Sequence, residues 1–330
     1  MKCGGVVLRV GVTIGACFLL LVSPRGQATA PPPDAAVAAM VSEVSKDRLA
    51  ETATALASIR TRFSPTSGCR VAGTSIYNFL SRLGIAVEYE TFKYNSPRVP
   101  AAVAGRNVVA TLPGTAVPER LLVVGAHYDS FSNDEFRVAP GADDNASGVA
   151  AVLEMARVLA RHRFAVTIRF IAFDAEELGV FGSEHAAGLA RSRREKIAAM
   201  LNLDMVGFTA GGRRQLALVP DRGNQWLADR FIQTASRYGL GLDIVKRVNV
   251  TWDRSDQASF WAAGYPAMAV VENEPDSNPH YHRSSDTPDT LDLDFLTTIT
   301  RATLATVATL ASGEWLPAAG RATSPPSERR

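Results

Sequence analysis

The sequence predicts an α/β fold: a single domain built on a mostly parallel β-sheet with helices on both faces. Three observations carry this. Short β-branched runs alternate with helical stretches along most of the chain, the pattern of strands joined by crossover helices. The runs are apolar almost throughout, as strands buried on both faces are. Of 330 residues 46% are hydrophobic, enough for one large core, and no internal repeat divides them.

Taken in order, residues 1–30 read as a secretory signal. Lys2 and Arg9 give a positive start, an apolar stretch runs from Val10 to Val22, and Ala28-Thr29-Ala30 is a small-x-small cleavage site. The apolar core is short for a membrane-crossing helix, so an uncleaved anchor is the lesser reading. Removal of the signal implies a periplasmic or secreted protein with no stable membrane association. Pro31 to Pro33 form an extended linker. Ala35 to about Phe63 is expected to be helical, with Val37, Met40, Val41 and Val44 at helical spacing. A second helix is expected from about Val71 to Leu83, stopped by Gly84.

From Ile85 to Glu90 the pattern alternates like a strand. Asn107 to Leu112, Leu121 to Ala126, Val166 to Phe173 and Ala198 to Leu203 are further strands, and Ala146 to Arg163 is an amphipathic helix. Residues 216–219 and 242–248 are strand-like, with 224–238 helical between them. Asp256 to Ala263 is a short helix, Ala267 to Val271 a strand, and Leu291 to Leu310 the closing helix. The folded domain thus spans 31–315, and 316–330, rich in Ala, Ser, Pro and Arg, reads as a disordered tail.

Charge and cysteine content exclude several classes. The chain carries 35 basic residues, three of them (Lys2, Arg9, Arg25) within the signal, against 33 acidic ones. The near-neutral remainder has no electrostatic footprint for nucleic acid. Cys69 alone remains after residue 30, which rules out an intrachain disulfide and a thiolate-rich zinc site.

What remains is a set of acidic and imidazole side chains at the ends of apolar runs: His127, Asp144, Glu177, Asp204 and His282. In α/β folds ligands bind beyond the carboxyl ends of the strands. His127 follows one run, Glu176-Glu177 a second, Asp204 a third and His282 a fourth. Any one of these has an ordinary structural explanation; four converging on one edge do not share one. Asp129, two residues after His127, is placed to hold the imidazole nitrogen that faces away from a metal. Helix capping explains one residue of Gly141-Ala142-Asp143-Asp144-Asn145-Ala146-Ser147-Gly148, but not three polar residues in a row between glycines. A carboxylate there can bridge two cations ~3.5–4 Å apart, a role assigned to Asp144. If Glu176-Glu177 continue extended backbone, their side chains point apart, one toward metal and one toward a water as general base. Asp204, between apolar residues, would be costly to bury without a cation or donor. His280 and His282 are equal candidates on spacing alone. Two zinc ions, three carboxylates and one hydroxide balance in charge, and oxygen and nitrogen ligands suit zinc.

These stretches, in this order, resemble the secreted di-zinc aminopeptidase family, which includes bacterial leucyl aminopeptidase and aminopeptidase Y relatives. The resemblance runs from Asn107-Val108-Val109-Ala110-Thr111-Leu112-Pro113-Gly114 to Asp286-Thr287. It rests on His-x-Asp-Ser at 127–130, the glycine-bounded block at 141–148, Asp-Ala-Glu-Glu at 174–177, Leu-Asp-Met at 203–205, and His282 four residues before Asp286. It implies a mixed sheet with flanking helices and two zinc ions per chain. It further implies His127 and Asp204 on one zinc, Glu177 and His282 on the other, and Asp144 as the bridge. Glu176 would be the base toward the attacking water, with Asp129 supporting His127. Tyr281 would help hold the oxyanion, and Arg254 would contact substrate. A cis peptide at Asp144-Asn145 is also implied. Where relatives have Ser-Asp-His, this chain has Ser255-Asp256-Gln257, so position 257 inherits no role. The activity implied is release of the N-terminal residue from peptides with a free N-terminus. The alternatives are a glutaminyl cyclase or di-zinc carboxypeptidase of the same fold, and a catalytically inactive binding domain.

Overall fold

The apolar runs pair into one eight-stranded mixed sheet. Its strands are β1 (Ala86–Tyr94), β2 (Val103–Leu112), β3 (Val117–His127), β4 (Val166–Phe173), β5 (Lys196–Leu203), β6 (Gln215–Pro220), β7 (Asp243–Lys246) and β8 (Ala267–Glu272), in the order β1-β2-β4-β3-β5-β8-β6-β7. This computed structural model describes residues 1, 2, 4, 5, 32–99, 101–248 and 254–313. The expected signal lies almost wholly, and the expected tail wholly, outside the described residues. Contacts group the chain into Met1–Pro31 and Pro32–Arg330, and the fold described here is that of the second unit.

The centre of the sheet positions the site. Strands β4, β3, β5 and β8 are neighbours and mutually parallel, with His127 level with Phe173 and Leu203 level with Val270. Four carboxyl ends therefore open on one edge. The antiparallel pairs are β1 with β2, β2 with β4, and β6 with β8.

Both faces are buried. Along β3, Leu122, Val124 and Ala126 face one apolar cluster while Leu121 and Val123 face another. The first is covered by α1 (Ala35–Ser42), α2 (Lys46–Ala57), α3 (Ser67–Ser81), α4 (Gly148–Leu159), α6 (Gln225–Arg237) and α8 (Leu293–Ala311). The second is covered by α5 (Phe181–Ser192) and α7 (Gln257–Ala262). Among the described residues no helix is long and apolar enough to cross a membrane.

Three local expectations are corrected. The helix expected over 35–63 is two helices, because the Ser45 hydroxyl caps α2 through the Arg48 N–H while the Ser45 N–H is drawn to Glu154 of α4. After Ala57 the chain leaves helix, and Thr61 pairs with Ala139. The helix expected from Ala146 begins at Gly148, and residues 142–147 form an irregular turn in which Asp144 and Asn145 have non-helical dihedrals. Glu176 and Glu177 do not continue a strand: Ala175, with φ of 59°, reverses the chain just before them.

Candidate metal centre

The four strand ends bring the expected residues together. His127 Nε2 lies 3.3 Å from Asp144 Oδ1 and 3.3 Å from Asp204 Oδ1. His282 Nε2 lies 3.2 Å from Asp144 Oδ2 and 2.9 Å from Glu177 Oε2. Asp144 thus divides its two oxygens between two imidazole–carboxylate groups. Glu176 Oε2 stands 4.0 Å from His127 Nε2, beside the first group. Of the two equal candidates, His282 enters the cluster, whereas His280 turns its Nδ1 to the Ser285 hydroxyl.

The Asp-Asp-Asn row, which capping could not explain, divides into three tasks. Asp143 Oδ1 accepts the Gly207 N–H and its Oδ2 the Asn278 amide. Asp144 faces the two histidines. Asn145 donates to the Leu203 carbonyl and accepts from the N–H groups of Gly148 and Met205, tying the turn to the end of β5 where Asp204 sits. Gly148 allows this closeness, since a Cβ there would lie 2.3 Å from Asn145 Oδ1 and 2.4 Å from the Leu203 carbonyl oxygen. The peptide between Asp144 and Asn145 is cis, as the resemblance implies.

Asp129 does more than its spacing suggests. It lies beyond the end of β3, where its main-chain oxygen, 3.2 Å from His127 Nδ1, stands nearer to that nitrogen than its Oδ1 at 3.5 Å, because the residue no longer continues the strand. The same carboxylate accepts the N–H groups of Glu176 (3.1 Å) and Glu177 (3.3 Å), so it clamps the turn that presents both glutamates. Ser255, to which the sequence assigns no role, supports the cluster: its hydroxyl donates to Asp204 Oδ2 at 2.6 Å and accepts from the Asn202 amide. Gln257 is buried and accepts from that same amide, a supporting place. A serine beside an aspartate carries no local signal for such a role.

The electrostatics are those of a crowd of buried carboxylates. Burial pulls the His127 imidazolium down, but Glu176 and Asp204 outweigh it and hold the ring well above its ordinary value. Burial likewise lowers His282, and Glu177 and Asp144 overcome that to raise it to about 10. Burial and the neighbouring Asp144 push Glu177 up to about 7. Burial drives Glu176 well above the carboxylate range, with Glu177 and Asp204 adding to it against His127. Asp144 is lowered: burial opposes this, but hydrogen bonds from both histidines win.

This donor set fits cations. Ligand atoms of His127, Asp144 and Glu177 lie within 4.8 Å of one another, as do those of His127, Glu176 and Asp204. Glu177 Oε1 is buried with no partner. Charges packed this tightly away from water need counter-charge, and nitrogen and oxygen donors without sulfur suit zinc. A cavity of about 370 Å³ opens over the cluster, and Met205, Arg254, Asp276 and Tyr281 are among its walls. Tyr281 stacks on His282 with ring centroids 3.9 Å apart. Arg254 is exposed at the rim, 3.6 Å from Asp276.

Residues 107–307 match the profile of peptidase family M28. A "Probable leucine aminopeptidase" of Trichophyton verrucosum (strain HKI 0517) is 37% identical over 199 residues, covering 58% of this chain and 53% of that protein. Among solved structures, an aminopeptidase from Aneurinibacillus sp. strain AM-1 superposes with a TM-score of 0.73 at 19% identity, over 85% of this chain and 97% of that one. A glutaminyl cyclase of Fimbriiglobus ruber gives 0.68 at 22%, over 80% and 95%. At these identities the structural likeness speaks for the fold alone. The chain spans about half the length of the first curated relatives it matches.

Proposed function

The chain belongs to peptidase family M28, and from that premise and the geometry of the cluster we propose that it is a di-zinc aminopeptidase releasing the N-terminal residue of peptides. One observation carries the reading: Asp144 turns one carboxylate oxygen to His127 and the other to His282. His127 and Asp204 would hold one zinc, Glu177 and His282 the other, with Asp144 between them. Bound there, zinc supplies a Lewis acid for the scissile carbonyl and lowers the pKa of the attacking water.

The chain's own groups do the rest. Glu176 takes the proton of the attacking water and returns it to the leaving amine. Burial raises its carboxyl strongly, and two nearby cations would draw it back toward neutrality, where it can do both. Burial and the adjacent Asp144 and Glu177 raise the Tyr281 phenol, so it stays protonated and able to donate to a developing oxyanion. Asp129 holds the glutamate turn and His127. Arg254, exposed at the rim, would meet the substrate there.

The cavity lining favours an amine over a carboxylate at the substrate's end. With Asp144, Glu177 and Asp204 given to the cations, Glu176 and Asp276 are the remaining carboxylates of the lining, and Arg254 is the one Arg or Lys among its described residues, already beside Asp276. A terminal carboxylate would have to compete for that cation. We further propose export through residues 1–30, with the mature protein meeting free-N-terminus peptides in the periplasm or medium.

The test is the zinc-loaded protein on one short peptide, with its N-terminus free or acetylated. Release of the first residue from the free form alone is expected. Cleavage of the blocked form would refute the aminopeptidase reading in favour of a carboxypeptidase or another hydrolase. Ammonia released from an N-terminal Gln peptide without cleavage would make it a cyclase.

A further inference from the structure

The segment between α2 and α3 carries a residue with no role in the scheme above. Arg62 is wholly buried, at 0% exposure. Its Nε donates to the Tyr128 carbonyl (2.9 Å), its Nη1 to the carbonyls of Leu56 (3.2 Å) and Pro140, and its Nη2 to that of Gly141 (2.8 Å). Among the described residues no carboxylate lies within ion-pair distance of it. A buried guanidinium spent on main-chain carbonyls is costly and needs a reason.

The acceptors supply one. Tyr128 lies between His127 and Asp129, and Pro140-Gly141 lead into the turn of Asp144. One planar fork therefore ties the segment bearing His127 to the segment bearing Asp144. Gly141 has φ of +52°, and a Cβ on it would stand 3.0 Å from Arg62 Nη2 and 2.2 Å from the Asp144 carbonyl oxygen. The same turn is gripped from its other side. Asp286 accepts the N–H of Asp143 on Oδ1 (2.9 Å) and that of Asp144 on Oδ2 (3.0 Å), and its carbonyl accepts the Ala142 N–H. Carbonyls 140 and 141 are held by Arg62, and N–H groups 142 to 144 by Asp286.

We propose that Arg62 and Asp286 are a pair of positioning residues that set the Asp144 carboxylate against His127, so that two cations can be held at once. The proposal rests on the two-metal reading above. Arginine suits the task because its donors diverge in one plane toward several acceptors, whereas lysine offers a single compact head. The field of Asp286, Asp129 and Asp144 offsets part of the cost of burying the charge.

The test is a Co²⁺ titration of the metal-free full chain, followed by visible absorption, on wild type, Arg62→Lys and Asp286→Asn, with circular dichroism to establish folding. Each folded variant should bind at least one of the two ions about 10- to 100-fold more weakly and show an altered cobalt band, the effect typical of losing a group that orients a ligand. A merely structural role would lower the melting temperature and leave the cobalt spectrum unchanged. If Arg62→Lys does not fold, Asp286→Asn decides by the same criterion. A folded variant with wild-type affinities and spectrum overturns the positioning role while the two-metal reading stands. A wild type that takes up fewer than two cobalt ions overturns that reading, and this proposal with it.

Discussion

Asp129→Asn isolates what the carboxylate of the His-Tyr-Asp run does. Asp129 is fully buried and its two oxygens receive the Glu176 and Glu177 N–H groups at 3.1 and 3.3 Å. The contact with His127 Nδ1, at 3.5 Å, is longer than either. Asparagine has the same shape, but whichever way the amide sits, one of the two N–H groups meets an NH₂ instead of an oxygen. A hydrogen bond to a charged group contributes about 1.5–3 kcal/mol, so losing one is worth roughly 10- to 150-fold. Because the turn presents both the proposed base and a proposed metal ligand, the loss should appear in kcat and in metal affinity together, with KM for the peptide little changed. Steady-state kinetics at saturating zinc, a zinc-buffer titration and circular dichroism measure the three quantities. A folded variant with wild-type kcat and metal affinity would refute the argument that Asp129 sets the glutamate turn.

Glu176→Gln should retain both metals, measured by elemental analysis after dialysis, and lose about 10²-fold or more in kcat; near-wild-type turnover would remove Glu176 as the base. His282→Ala should lower the zinc content or affinity, and unchanged stoichiometry and affinity would sink its place as a ligand. The metal-free protein should melt at progressively lower temperature as pH rises from about 5 to 9. His282, raised to about 10, stabilises the fold fully below the ordinary imidazole value of ~6.5 and loses that contribution as pH climbs through its folded value. Glu177, raised to about 7, adds to the trend as it ionises above the ordinary ~4.3. Zinc requires the carboxylates ionised and the imidazoles neutral, so loading should release protons and flatten the decline. Parallel melting curves with and without zinc across that range would contradict this.

What is legible in the sequence has local causes. A strand buried on both faces advertises itself as an apolar run, and a metal-type residue at its end breaks the run visibly. His127, Glu177 and Asp204 were legible this way, and the parallel order of β4, β3, β5 and β8 brings them together. What escaped was decided at a distance. The break after α1 depends on Glu154 accepting the Ser45 N–H from 109 residues away. Arg62 looks like any surface arginine until the carbonyls of Tyr128 and Gly141, 66 and 79 residues on, fold around it. Ser255 reaches Asp204 only because α7 docks beside β5 and β8.

Asp143 and Asp144 put the difference most sharply. They are the same residue type, adjacent, in one glycine-bounded turn, and nothing in their composition or spacing separates them. In the fold one is spent on the Gly207 N–H and the Asn278 amide, and the other faces two imidazoles. The choice is made by main-chain direction. With Arg62 holding the carbonyls that precede the pair and Asp286 taking both of their N–H groups, the turn has one orientation, and in it only Asp144 opens onto the cavity. Which carboxylate faces both histidines is therefore decided less by the aspartate than by the two charged side chains that hold its backbone, which lie 82 residues before it and 142 after it.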